Sequence, residues 1–141
     1  MSTFADTSAV VKLYLDEPGH EPVRALDRIV ISRLARVEVV AAIWGVQRRG
    51  GLRPGSATAL VAEFEADLAG PGSRFAVVEP TPAVLDDAAA LSGIRGLRAY
   101  DAVQLASARA AATADDRIRT FAAFDPQLRG AAAEEGFVVV P

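Results

Sequence analysis

Short apolar runs and longer helical stretches alternate along the whole chain, and this alternation restricts the available folds more than any other feature. Thr3-Phe4-Ala5, Ile29-Val30-Ile31, Phe75-Ala76-Val77-Val78, Ile118 to Ala122 and Phe137 to Val140 read as short strands. Between successive strands lies at least one segment whose apolar residues recur at helical spacing. That order predicts an α/β fold of three layers, with a mostly parallel sheet of about five short strands between helices on both faces. In an open sheet of this kind a ligand site lies beyond the carboxyl ends of the strands.

Turn and cap residues set the boundaries. Asp6-Thr7-Ser8 opens an apolar helical stretch from Ala9 to Leu15, which Asp16-Glu17-Pro18-Gly19 ends. A short helix is expected from about Glu21 to Asp27, and Ser32 caps a longer one from about Arg33 to Arg49. Gly50-Gly51 stops that helix and Pro54-Gly55-Ser56 starts another to about Leu68, so the two form a helical hairpin. Thr81 with Pro82 starts a helix to about Leu91, and another covers about Arg98 to Ala112. Asp125 with Pro126 starts the last, which ends near Gly136.

A length of 141 residues with 51% hydrophobic content suits one domain, residues 1–141, around a single buried core. No repeat or linker divides it. The chain has no cysteine, which removes both a disulfide framework and thiolate metal ligands. Its one histidine, His20, is read as an exposed loop residue and cannot build a histidine-rich zinc site. Any metal must therefore be held by oxygen. No signal-like N-terminus is present, and no uncharged apolar run approaches the roughly 20 residues needed to span a bilayer. A cytoplasmic chain without a membrane partner is expected. The net charge of −3 disfavours a phosphate backbone as partner on average. The local field matters more, because bound cations neutralise a carboxylate site.

Four carboxylates stand out. Asp6 and Asp125 each follow a strand and precede a helix, where aspartate is also a preferred N-cap, so capping alone explains either one. Glu38 interrupts Val37-Glu38-Val39-Val40-Ala41 in mid-helix and shares a face with Leu34 and Ala41. A charge seldom occupies such a face unless it is paired, with Arg33 or Arg36 for instance, or bound to a metal. Asp101 shares its helical face with Leu97, Leu105 and Ala108, and an early position in the helix also favours an aspartate through the helix dipole. Converging carboxylates suit Mg²⁺ or Mn²⁺, hard cations that prefer oxygen and that activate water for phosphodiester hydrolysis. Spacing alone does not establish that they converge.

The opening FADTSAVVKLYLDEPG resembles the start of VapC-type PIN-domain toxins. SRLARVEVVAAIW is similar to the second acidic helix of that family, LRAYDAVQLASA to its third motif, and FAAFDPQLRGAAAEEGFVVV to its closing aspartate, helix and strand. The resemblance runs from Thr3 to Val140. It implies a PIN-like fold and a metal site of Asp6, Glu38, Asp101 and Asp125, supported by the hydroxyl of Ser8 or Thr7. Two positions depart from the pattern: Gln104 stands where many members have histidine, and Ala123 where a threonine or serine is common. The missing hydroxyl beside Asp125 leaves Asp115 and Asp116 as substitutes for the fourth acid.

The implied reaction is Mg²⁺- or Mn²⁺-dependent hydrolysis of RNA, leaving a 5′-phosphate and a 3′-hydroxyl. The implied partners are a VapB-like antitoxin and a second copy of the chain. Lys12, Arg33, Arg36, Arg48, Arg49, Arg95 and Arg98 are the candidate phosphate contacts. Val40, Ile43 and Trp44 make the hairpin a candidate groove or dimer face, unless they pack in the core. Three other classes compete. A haloacid-dehalogenase-like phosphatase needs a second aspartate where Ser8 stands. A catalytically weak PIN-like module would keep the acidic pocket mainly to bind a protein partner, and an α/β binding module would use these carboxylates only as caps and ion pairs.

Overall fold

The computed structural model describes residues 1–141. Its strands are β1 (Ser2–Ala5), β2 (Arg28–Ser32), β3 (Phe75–Val78), β4 (Ile118–Ala122) and β5 (Val138–Val140). Its helices are α1 (Thr7–Val10), α2 (His20–Arg24), α3 (Ala35–Arg48), α4 (Ser56–Leu68), α5 (Pro82–Arg95), α6 (Ala99–Ala114) and α7 (Pro126–Glu134). A 3₁₀ turn, Val11–Leu13, continues α1. The strand order is β3-β2-β1-β4-β5 and every neighbouring pair is parallel. The expected α/β sandwich is therefore formed with an all-parallel sheet.

Successive side chains of a strand point to opposite faces, and each face here has its own helices. Phe4, Val30 and Phe121 pack against Val84, Leu91, Leu105 and Leu128 of α5, α6 and α7. Ile29, Ile31 and Ala122 pack against Val10, Val39, Ile43 and Phe64 of α1, α3 and α4. The sheet thus splits the interior into two clusters of 19 and 17 buried residues, where the composition had suggested one core. Phe4 stacks on Phe121 at 5.4 Å between ring centroids, and Phe121 meets Phe137 at 5.8 Å.

Several boundaries differ from the sequence reading for local reasons. The first helical stretch changes from α to 3₁₀ after Val10, and α2 is shorter than expected, ending at Arg24. Helix α5 continues past Leu91 to Arg95, where Gly96 takes the left-handed conformation that ends helices at least steric cost. Phe137 is buried just before β5 and is not part of it. His20 begins α2 and is half-buried, with Nδ1 at 2.8 Å from the Glu17 carbonyl, so it is not the free loop residue expected. Ile43 is fully buried, and Val40 and Trp44 pack against the same core, so the apolar side of α3 is largely spent inside the domain. Val37 is the large exposed apolar residue of that helix.

Candidate functional site

Parallel pairing brings the carboxyl ends of all five strands to one edge. Asp6 follows β1, the central strand, and its amide donates to the carbonyl of Ala122 on β4 at 3.0 Å. The side chain is 5% exposed, an unusual state for a carboxylate. Its Oδ1 accepts from Ser8 Oγ at 2.6 Å and from the Ala9 amide at 3.0 Å. Asp6 is therefore the N-cap of α1 and also a wall of a pocket.

The pocket is open and lined mostly by polar residues. Asp6, Glu38 and Asp101 line it together with Thr7, Ser8 and Gln104, while Val11 and Ala42 form its apolar part. Glu38 comes from the first turn of α3 and Asp101 from the first turn of α6. Thus three carboxylates separated widely in sequence meet because α1, α3 and α6 all begin near the same edge of the sheet. Gln104 Nε2 donates to Glu38 Oε1 at 2.9 Å and to Thr7 Oγ1 at 3.2 Å, linking α6 to α3 and α1.

Burial raises all three acids, and neighbouring carboxylates add to the rise. Burial pushes Asp6 up to about 6, against the Ser8 and Ala9 hydrogen bonds, with the charges of Asp101 and Glu38 adding to the rise. Glu38 is raised by burial, opposed by its bonds to Gln104 and Thr7. Asp101 is raised by burial and then by the charge of Asp125, with Arg98 opposing. A positive ion would relieve this crowding.

The donors fit a hard cation, since every one is an oxygen. As they stand, no group of three or more acidic or histidine side chains is gathered closely enough to hold an ion by itself. An open arrangement suits Mg²⁺, which keeps several waters and takes only one or two carboxylates alongside substrate phosphate oxygens.

The remaining candidates separate. Asp125 is exposed and does not line the pocket; its Oδ2 caps α7 through the Leu128 amide at 2.9 Å, and it reaches the site through its charge on Asp101. Ala123 is fully buried in the core. Asp115 and Asp116 precede β4 and so lie at the amino edge of the sheet, the wrong end for the pocket. Asp115 is also held by Arg117, which pushes it down to about 2.

Of the candidate phosphate contacts, four are engaged elsewhere. Lys12 is buried, pairs with Glu17 at 3.1 Å and lies 4.4 Å over the Phe124 ring. Arg33 pairs with Glu79, Arg36 with Glu65, and Arg95 with Glu134 and Glu135. Arg48, Arg49 and Arg98 make no ion pair within 4.0 Å, and Arg98 borders α6 beside Asp101. The role of Gln104 was not anticipated. A signal was present: it stands three residues after Asp101 on one helical face, within a run that is otherwise small or apolar.

The family model of the PIN domain matches residues 3–133. Among solved structures, a toxin–antitoxin complex from Klebsiella pneumoniae aligns with a TM-score of 0.65 at 16% identity, covering 99% of this chain and 96% of that one. The sarcin-ricin loop cleaving toxin VapC20 of Mycobacterium tuberculosis aligns with a TM-score of 0.64 at 21% identity, covering 96% of each chain. A protein from Pyrobaculum aerophilum gives 0.60 at 20% identity, covering 99% of this chain and 89% of that one. No curated protein matches the chain by sequence. At these identities the structural likeness speaks for the fold.

Proposed function

The chain belongs to the PIN domain family, and from that premise we propose that it is a Mg²⁺- or Mn²⁺-dependent endoribonuclease acting as the toxin of a VapBC-type toxin–antitoxin pair. The observation that carries this reading is the meeting of Asp6, Glu38 and Asp101 in one oxygen-rich pocket at the carboxyl edge of the sheet.

Asp6, Glu38 and Asp101 would hold the cation, with Asp125 acting on Asp101 from outside the pocket. The chemistry a divalent cation supplies when bound is activation of the attacking water and neutralisation of charge on the leaving oxygen. Ser8 fixes the orientation of Asp6 through its 2.6 Å hydrogen bond. Thr7 and Gln104 do the same for Glu38. Arg98, unpaired at the start of α6, is the cation best placed to meet a substrate phosphate. The openness of the pocket suits a strand laid across it.

The resemblance to VapC toxins supports two protein partners. An antitoxin tail would place an arginine against the carboxylates, where a guanidinium can bridge two of them. Its apolar part has a groove to follow, bordered by Leu15, Val46, Leu52 and Leu60 between the first helical segment and the α3–α4 hairpin. A homodimer would use other exposed apolar residues, of which Leu85, Ile94 and Tyr100 on α5 and α6 are the largest. No helix is long and apolar enough to cross a membrane.

The open pocket also favours a second reading, a partner-binding module with little catalysis. Expression in a bacterial host separates the two. The nuclease reading expects wild-type protein to arrest growth, Asp6→Asn to relieve the arrest at equal soluble yield, and the neighbouring reading frame to suppress it on co-expression. Harmless wild-type protein, shown to be folded, would contradict the toxin role.

A further inference from the structure

Gln104 is 2% exposed and lies on the pocket wall, yet its Oε1 is buried without any hydrogen-bond partner. The opposite amide orientation would not repair this, because it would set that oxygen against the carboxylate of Glu38. The amide therefore gives both N–H bonds to site residues, Glu38 at 2.9 Å and Thr7 at 3.2 Å, and leaves its carbonyl unpaired. An unpaired buried acceptor destabilises a fold, whereas an apolar side chain of the same size would not. Packing alone thus gives no reason for glutamine here, amid Ala102, Val103, Leu105 and Ala106 on the inner side of α6.

We propose that Gln104 is a positioning residue for cation binding, a neutral double donor on α6 that holds Glu38 and Thr7 toward the pocket at some expense of fold stability. Neutrality matters. A lysine or arginine at this point would pair with Glu38 and compete with the cation, while an amide orients the carboxylate and leaves its charge available. Thr7 Oγ1 accepts from the amide, so its own proton is the one it offers to Glu38.

This inference rests on the cation-binding reading of the pocket, and one experiment distinguishes the two. Mn²⁺ affinity is measured by titration calorimetry on wild-type, Gln104→Met and Gln104→His, alongside the Tm of each metal-free chain. Met fills the space without donors; His keeps one N–H at similar reach. The expected result is an affinity about tenfold weaker in Gln104→Met, the usual scale for loss of a group that orients a metal ligand. Its metal-free Tm should equal or exceed that of wild type, and Gln104→His should bring affinity back toward the wild-type value. A purely structural glutamine would show the reverse, with Tm falling in Gln104→Met while affinity holds, and that result would overturn the proposal. So would a Gln104→His chain that is folded and binds no better than Gln104→Met. Wild-type protein that binds no Mn²⁺ would overturn the cation site itself, and the positioning role with it.

Discussion

Ser8 Oγ donates to Asp6 Oδ1 across 2.6 Å. The same hydroxyl accepts from the Phe124 amide at 3.1 Å, so one side chain ties the buried carboxylate to the loop after β4. Ser8→Ala removes both bonds and should lower stability by about 1–2 kcal/mol. Urea unfolding of the metal-free chain checks this, with the midpoint shifted and the slope unchanged. Ser8→Thr keeps the hydroxyl and should recover most of the loss.

The raised carboxyl of Asp6 gives the metal-free protein a defined pH dependence. Its ordinary value of 3.8 is moved up to about 6 by burial, so between these values the folded chain binds more protons than the unfolded one. The protonated form therefore stabilises the fold fully below pH 3.8, and this contribution is lost as pH rises through about 6. By pH 7.5 the ionised group costs on the order of 3 kcal/mol. Asp6→Asn keeps the α1 cap without the charge. In EDTA it should be more stable than wild type at pH 7.5, with the advantage fading as pH falls toward 4. An advantage of equal size at both pH values would rule out titration of Asp6 as its source.

Divalent cation should reverse that ranking. A ligand that binds only the folded chain stabilises it by about 4.1 kcal/mol at a thousand times its Kd, more than the cost of the ionised Asp6. Mn²⁺ should raise the melting temperature of wild type and have little effect on Asp6→Asn or Asp101→Asn. Equal shifts in all three chains would mean that the ion binds elsewhere.

Away from the pocket, Tyr14 donates its hydroxyl to Asp67 Oδ2 at 2.6 Å, fastening the first helical segment to α4. Tyr14 is buried and its ring also meets Phe64 edge-on at 5.5 Å. Tyr14→Phe keeps the ring contact, loses the bond, and should lower stability by about 1–2 kcal/mol in the same urea assay.

The sheet was legible in the sequence because both of its faces are covered, so every strand carries dense apolar and β-branched residues such as Ile29-Val30-Ile31. The caps Asp6, Thr81 and Asp125 were legible for an equally local reason: each accepts from an amide three residues ahead. What depends on which side chain faces which was less accessible. Ile43 and Trp44 belong to a core completed by α4, and Lys12 is drawn inside by Glu17 and Phe124. The α4 and Phe124 contacts come from distant parts of the chain, although Glu17 stands only five residues from Lys12. Asp115 and Asp116 looked like substitutes for Asp125, yet they stand before β4 while Asp125 follows it, and a parallel sheet puts those positions at opposite edges. Gln104 was visible as an odd residue on α6. Its bonds to Glu38 and Thr7 depend on long-range packing that a single sequence does not display.

The most direct measurement is incubation of the purified chain with total cellular RNA, in Mn²⁺ and in EDTA, followed by mapping of the new ends. Asp6→Asn and Asp101→Asn, each shown to be folded, serve as the comparison. The expected outcome is discrete cuts in Mn²⁺ that leave 5′-phosphates and 3′-hydroxyls, disappear in EDTA and are absent from both variants. Cuts that persist in EDTA, cuts undiminished in either folded variant, or intact RNA with Mn²⁺-loaded wild-type protein would contradict a metal-dependent ribonuclease built on Asp6, Glu38 and Asp101.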